Sequence, residues 1–315
     1  MNAARCNRQF QEEAERIIYN AVALNSLESL ANLLIGLRAL DRGEIRCGHV
    51  RSLHLTIQLS NESMVQLHQL LSLIPSLLSL EIYGDLDTST LFYLMPGDRN
   101  SSYSFCLRRL ELSRLPVDLV VFLASQPSIS ELFLAPPSGV HPCWAFTDDI
   151  IPDLRFAGLP RKLATALVPG RPVQSLCTTY QDRAAADLAR VLEASAVPVR
   201  DLFMVFDTLT VGGLATMSCS LHELECLKLL QGGIRDSSWV EVDPFGWLPG
   251  LIKYRKLTKL VLHPRDLLST EGLQRFLNSL HTYCPSLETL DVQPDNGSAS
   301  IHLYEKSRHI WVVSS

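Results

Sequence analysis

A pattern of the form apolar-x-x-apolar-x-apolar returns every 22 to 33 residues along this chain, and it constrains the fold more than any other feature. It reads Val50/Leu53/Leu55, Leu77/Leu80/Ile82, Leu107/Leu110/Leu112 and Ile129/Leu132/Leu134. It continues as Ile151/Leu154/Phe156, Val173/Leu176/Thr178 and Val199/Leu202/Met204, then Leu224/Leu227/Leu229, Leu257/Leu260/Leu262 and Leu287/Leu290/Val292. One such match arises readily by chance in a chain that is 47% hydrophobic, so the weight rests on ten matches in an ordered series. Repeats of this size predict stacking, because one repeat cannot bury its apolar edge without a neighbour.

Each repeat reads as a short strand, a turn and a helical or irregular return. In Leu80-Glu81-Ile82 and Leu110-Glu111-Leu112 apolar and polar residues alternate with the period of a strand. The returns carry helical spacing: Met64/Leu67/Leu71/Ile74, then Leu119/Val120/Leu123 after Pro116, then Leu188/Val191/Leu192, then Leu273/Phe276/Leu277/Leu280 behind Ser269 or Thr270. A strand, a crossover and a parallel strand within so few residues is the economy of a leucine-rich repeat. A doubly wound sheet needs longer crossovers and usually a glycine-rich first turn, and no G-x-G-x-x-G is present. The expected fold is therefore an α/β leucine-rich-repeat solenoid, a curved parallel sheet with helices and irregular returns on its convex side. Residues 1–46 lack the repeat and read as a helical N-terminal cap, with Ser26 placed to cap the run Leu27/Leu30/Leu34/Leu37. The solenoid spans 47–294. Residues 295–315, opened by Asn296-Gly297, read as a C-terminal hairpin or a tail.

Composition bounds the function. Charged residues make up 19% of the chain and the formal net charge is −5, with no Lys/Arg run, so neither nucleic acid nor a disordered chain is indicated. No apolar run is long enough for a membrane span, and the N-terminus lacks the apolar middle of a secretory signal. The expected location is cytoplasmic or nuclear, where the eight scattered cysteines stay reduced.

No catalytic constellation stands out. Glu12-Glu13 and Asp148-Asp149 are sequence neighbours whose side chains diverge, and each reads as solvated surface. Cys47 near His49 and Cys143 near His141 are at most half of a zinc site, and no second pair complements them. Gly212-Gly213 and Gly232-Gly233 read as turns. Trp144, Trp239, Trp247 and Trp311 fall in loops or the tail, as interface anchors or as covers for the stack. The long return from Gln231 to Tyr254, with Phe245-Gly-Trp247, is the loop best placed for a partner. No enzyme activity, cofactor or metal is expected. The period of two places the outward side chains His54, Glu81, Tyr83, Arg109, Glu111, Glu131, Phe133, Arg155, Phe203, Lys228, Lys259 and His263 on the concave face, as candidate protein-binding residues of a monomer. Acids dominate its first half, and Lys228, Lys259 and His263 its end.

Phe10-Gln-Glu-Glu-Ala-Glu-Arg-Ile-Ile-Tyr19, His49-Val-Arg-Ser-Leu-His-Leu55, Pro152-Asp-Leu-Arg-Phe156 and Leu167-Val-Pro-Gly-Arg-Pro-Val173 together resemble fungal F-box/leucine-rich-repeat proteins. The resemblance covers about residues 9 to 293, and Val-Pro-Gly-Arg-Pro-Val is its most specific mark. It implies a non-catalytic substrate receptor of a cullin-RING ubiquitin ligase, with the first helix as the linker that follows the F-box. The F-box itself is not in this sequence, so docking to the ligase adaptor subunit is expected only if one is supplied upstream. The chain then reads as a truncated F-box protein or a repeat-only relative, and the alternative role is a stand-alone scaffold or inhibitor. Regular repeats also place Asn after the strand, where Gln58, Asp85, Leu115 and Pro137 stand here.

Overall fold

Short alternating segments joined by amphipathic returns pair in parallel, because each return carries the chain back to the start of the next strand. The computed structural model describes residues 2–39, 41–57, 60–84, 93–95, 103–135, 145–181, 184–206, 209–231, 246–263, 276–277, 279–280, 282–292, 300–305 and 310–314. They divide into two compact units, Met1–Leu154 and Arg155–Ser315, each an α/β arrangement around an open parallel sheet.

The first unit runs α1 (Asn2–Asn20), β1 (Ala21–Leu24), α2 (Leu27–Arg38), α3 (Gly43–His49), β2 (Ser52–Thr56), α4 (Asn61–Leu73), β3 (Ser79–Tyr83), β4 (Arg109–Leu112), α5 (Leu119–Ala124) and β5 (Glu131–Leu134). Its five strands pair in parallel in chain order. Leu53, Leu55, Leu80, Ile82, Leu110, Leu112, Leu132 and Leu134 stack in register on the inward face, none more than 4% exposed. Burying each such side chain contributes about 1.5–3 kcal/mol. Met64, Leu67, Leu71 and Ile74 bury the inner side of the α4 return. Ser26 and Ser60 begin α2 and α4 with reciprocal capping boxes to Ser29 and Ser63. Each satisfies donors that an uncapped helix leaves open, worth about 1 kcal/mol.

The N-terminal segment is not purely helical. Residues 21–24 add β1 to the sheet beside β2, with Val22 opposite Leu53 and Leu24 opposite Leu55. Helix α1 packs through a polar side: buried Glu15 accepts from Arg42 Nε at 2.8 Å and from Arg46 Nη2 at 3.1 Å, while Phe10, Ile17 and Ile18 face outward.

The second unit runs β6 (Phe156–Leu159), α6 (Arg161–Leu167), β7 (Ser175–Tyr180), α7 (Ala185–Glu193), β8 (Asp201–Phe206), α8 (Val211–Met217), β9 (Cys226–Gln231), a 3-10 turn (Leu248–Lys253), β10 (Lys259–His263), β11 (Thr289–Val292), β12 (Ser300–Glu305) and β13 (Ile310–Ser314). Strands β6 to β11 are parallel neighbours in chain order. Strand β12 then adds antiparallel to β11, and β13 antiparallel to β12.

One strand lies three residues later than its spacing predicts. Ala157 is the partner of Leu176 and Leu159 the partner of Thr178, so the trio in register is Leu154/Ala157/Leu159; Ile151 is buried just ahead of it, and of the expected Ile151/Leu154/Phe156 only Phe156 is not inward. Phe156 faces outward beside Ser175, 41% exposed. Gly212 and Gly213 are not a turn: they lie in the first turn of α8, whose N-cap Thr210 accepts the Gly213 N–H. Gly250 permits the 3-10 turn to press on that helix, since a Cβ there would sit 2.7 Å from Leu214 Cβ. Trp247 enters the same packing, 4% exposed and 6.5 Å from the Phe276 ring, so it is a core residue and not an interface anchor.

A recurring backbone contact fixes the register in both units. At the entrances of β3 to β5 and β7 to β11, two successive N–H groups share one carbonyl of the preceding entrance. Leu78 and Ser79 donate to Arg51, Arg108 and Arg109 to Leu78, and Ser130 and Glu131 to Arg108. In the second unit Arg155, Gln174, Arg200, Glu225 and Thr258 each accept such a pair. The Val-Pro-Gly-Arg-Pro-Val phrase is a staple of the same kind. Gly170 takes a positive φ of 73°, and buried Arg171 donates to the carbonyls of Leu167 and Pro169 at the end of α6. The Arg171 carbonyl accepts from Ala196 N and Ser195 Oγ beyond α7. A cation at a helix C-terminus also opposes its dipole.

Among the sequence candidates, Trp144, Trp239, His141, Cys143, Gln58, Asp85, Pro137, Gly232-Gly233, Ser269, Thr270, Asn296-Gly297 and the stretch 232–245 lie outside the described residues.

Candidate functional site

Register decides which outward side chains become neighbours. In the first unit the rows run Ser52, Ser79, Arg109, Glu131 and then His54, Glu81, Glu111, Phe133, with Thr56 beside Tyr83. Glu81 and Glu111 therefore stand directly opposite one another on β3 and β4, an arrangement that is unfavourable for like charges. Arg109 resolves it from the adjacent row. Its Nε donates to Glu81 Oε1 at 3.0 Å, its Nη2 to Glu111 Oε2 at 2.6 Å and its Nη1 to Glu131 Oε2 at 3.1 Å. The guanidinium also lies over the Phe133 ring, 4.8 Å from its centroid. Partial burial alone would lower its pKa, but the hydrogen bonds to Glu131 and Glu111 outweigh burial and raise it.

The network extends to β2. His54 Nδ1 lies 3.0 Å from the free oxygen of the Glu81 carboxylate, and its Nε2 lies 3.0 Å from Thr56 Oγ1. Its ring packs 5.1 Å from the Tyr83 ring. Burial first, and then the hydrogen bond and charge of Glu111, push the Tyr83 phenol up, so it stays a neutral donor. Seven of the sequence candidates (His54, Glu81, Tyr83, Arg109, Glu111, Glu131 and Phe133) thus form one connected, half-buried surface.

The second unit carries a plainer face. Lys228 and Lys259 are exposed on β9 and β10, and Phe203 packs 6.2 Å from the His263 ring. Burial raises Asp201 above the usual carboxylate range despite the opposing charge of Lys228. Burial likewise pushes the Cys177 thiol up to about 11, with Lys228 again opposing, which disfavours its thiolate at neutral pH. Cys226, Val261 and Asp291 share this outward side yet are buried, so less of it is accessible than alternation alone implies. Arg155 is a correction: with β6 displaced, it sits one residue before the strand, and its carbonyl, not its side chain, serves the sheet. The outward position there belongs to Phe156, which the leucine spacing mislabelled as inward; the signal was the alternation of Ala157 and Leu159.

The remaining acidic and cysteine candidates among the described residues have ordinary partners. Glu12 and Glu13 each pair with their own arginine, Arg8 and Arg16. The Cys47 thiol donates to the Leu37 carbonyl, and burial raises its pKa, which disfavours the thiolate a metal takes. Among the described residues no three His, Cys, Asp or Glu side chains converge on a metal position. No helix among them is long and apolar enough to cross a membrane.

A scan against protein-family models and a search of curated proteins each found no match to this chain.

Proposed function

We propose that this chain is a leucine-rich-repeat recognition module, similar to the substrate-binding part of F-box ubiquitin-ligase receptors and without catalysis of its own. It holds a protein partner against the outward side of its parallel strands, in the cytoplasm or nucleus. The observation that carries the reading is the connected surface of His54, Glu81, Arg109, Glu111, Glu131 and Phe133 on four adjacent strands. Pre-organised charged and aromatic groups on rigid elements suit recognition, because little side-chain entropy remains to be lost on binding.

The test is affinity purification of the tagged chain beside a Glu81→Lys/Glu131→Lys variant shown by circular dichroism to be folded at the assay temperature. A partner recovered in near-stoichiometric amount by the first and lost by the second supports the reading. A partner retained by both places recognition elsewhere and refutes it. A cullin-RING adaptor subunit in the same complex supports the ligase role; the partner without that subunit supports a stand-alone scaffold or inhibitor.

A further inference from the structure

Helix α1 is inverted relative to an ordinary surface helix. Its polar side is inward: buried Glu15 pairs with Arg42 and Arg46 of α3, and the Arg46 guanidinium lies 5.9 Å from the Tyr19 ring centroid. Its apolar side is outward: Phe10, Ile17 and Ile18 are 77%, 63% and 67% exposed, and Ala14 between them is exposed as well. Positions 10, 14, 17 and 18 follow the i, i+4, i+7, i+8 spacing of one helix face. The buried ion pairs fix this orientation, because rolling α1 to bury Phe10 and Ile17 would leave two arginines of α3 without their carboxylate. An apolar face held toward solvent in this way marks an interaction surface.

Two features select the occupant. The first is charge. At 3.6 residues per turn, one flank of the stripe carries Glu13 and Arg16, both exposed and paired at 2.6 Å, and the other carries the uncharged amides of Asn7 and Gln11. When two such helices pack face to face and antiparallel about a two-fold axis at Ala14, each flank meets its own copy. Positions equally far before and after Ala14 then stand level, so Glu13 of each copy falls within about one residue of Arg16 of the other. In a parallel pair the charged flank would meet only amides. The second feature is size. Ala14 at the crossing lets the helix axes approach toward the close end of the usual range, about 8 Å, and sets Phe10 of each copy beside Ile17 and Ile18 of the other.

We propose that α1 is a dimerisation helix: two copies of this chain pair antiparallel through Phe10, Ala14, Ile17 and Ile18, with the two-fold axis at Ala14. The contact is isologous and closed, so association stops at two. Four side chains from each copy cover less than the about 800 Å² per partner of a standard interface, so the dimer is weak and concentration-dependent. It uses no residue of the outward strand face and does not rest on the recognition reading.

The test is sedimentation velocity of the full chain under reducing conditions, from low micromolar to near-millimolar concentration. The expected result is a monomer that shifts to a dimer and to nothing larger. Phe10→Gln/Ile17→Gln should weaken the dimer by at least about tenfold. Val65→Gln/Val121→Gln, at comparably exposed positions on α4 and α5, should leave it unchanged. Glu13→Arg alone should weaken it by setting like charges together, and serves if the double variant unfolds; Glu13→Arg/Arg16→Glu should restore it. Mild oxidation of Ala14→Cys, followed by peptide mass mapping, should link the two introduced cysteines. A chain that stays monomeric throughout, a dimer that survives Phe10→Gln/Ile17→Gln, or an equal loss in the valine control overturns the proposal. A charge swap that fails to restore the dimer refutes the antiparallel register. If the chain alone is monomeric and Phe10→Gln/Ile17→Gln loses a cellular partner, the face takes a different protein and the second copy is the wrong occupant.

Discussion

Replacing Arg109 with methionine keeps most of the stem and removes the charge that three glutamates share. The distances set the scale. Contacts of 3.0, 2.6 and 3.1 Å are close, but the side chains are 22–37% exposed, so each pair is worth about 0.2–1 kcal/mol. The stacking on Phe133 adds about 0.5–1 kcal/mol. Glu81 and Glu111, directly opposed, are left to repel one another. The expected loss is about 2–3 kcal/mol in urea unfolding at pH 7 and low salt. It should shrink in 1 M salt, where the Debye length falls to about 3 Å. A sign change makes the test sharper. Glu81→Gln should destabilise the native protein, because it removes partners of Arg109 and His54, yet stabilise the Arg109→Met variant by relieving repulsion. A loss indifferent to salt, or Glu81→Gln acting in the same direction in both backgrounds, would show that packing rather than charge sharing holds this face.

Two further outcomes follow from the fold. At β6, Ala157→Asp should cost several kcal/mol because it buries an unpaired charge, whereas Phe156→Ser should change the unfolding midpoint little; equal effects would contradict the assigned register. At Glu15, burial would raise the carboxyl, but the hydrogen bond from Arg46 and the charge of Arg42 outweigh it and hold it below its ordinary value. A lowered folded pKa gives stability that is present above the unfolded value, about 4.3, and lost as pH falls through the folded one. Protection of α1 amides from hydrogen exchange should therefore fall below about pH 4 in the native chain and respond less in Glu15→Gln; identical profiles would exclude this linkage.

Much of the strand series was legible because an aliphatic residue opens every pattern and leucine occupies its centre. Leu53, Leu80, Leu110 and Leu132 occupy one register row, as do Leu176, Leu202, Leu227, Leu260 and Leu290. The failures have a common cause. Strand β6 centres on Ala157 and β1 is Ala21-Val-Ala-Leu24, so small residues hid both from a search for leucine. Gly212-Gly213 looked like a turn because glycine propensity is local, whereas tertiary packing and the Thr210 cap decide the helix. The period of two placed His54, Glu81, Arg109 and Glu131 on one side. It could not show that one guanidinium reaches three carboxylates, since that depends on which strand lies beside which. Burial of Cys226 and Asp291 was invisible for the same reason.

The pairing of β2 with β3 carries this surface, and a cysteine pair measures it most directly. Ser52 and Ser79 are direct partners on neighbouring parallel strands, which lie about 4.8 Å apart, within the span of a disulfide. Mild oxidation of a Ser52→Cys/Ser79→Cys variant, followed by peptide mass mapping, should recover the cross-link between those positions. A Thr56→Cys/Ser79→Cys pair, displaced along the strand, should not form it. Absence of the first link, or equal yield of the second, would contradict the register and with it the meeting of His54, Glu81 and Arg109.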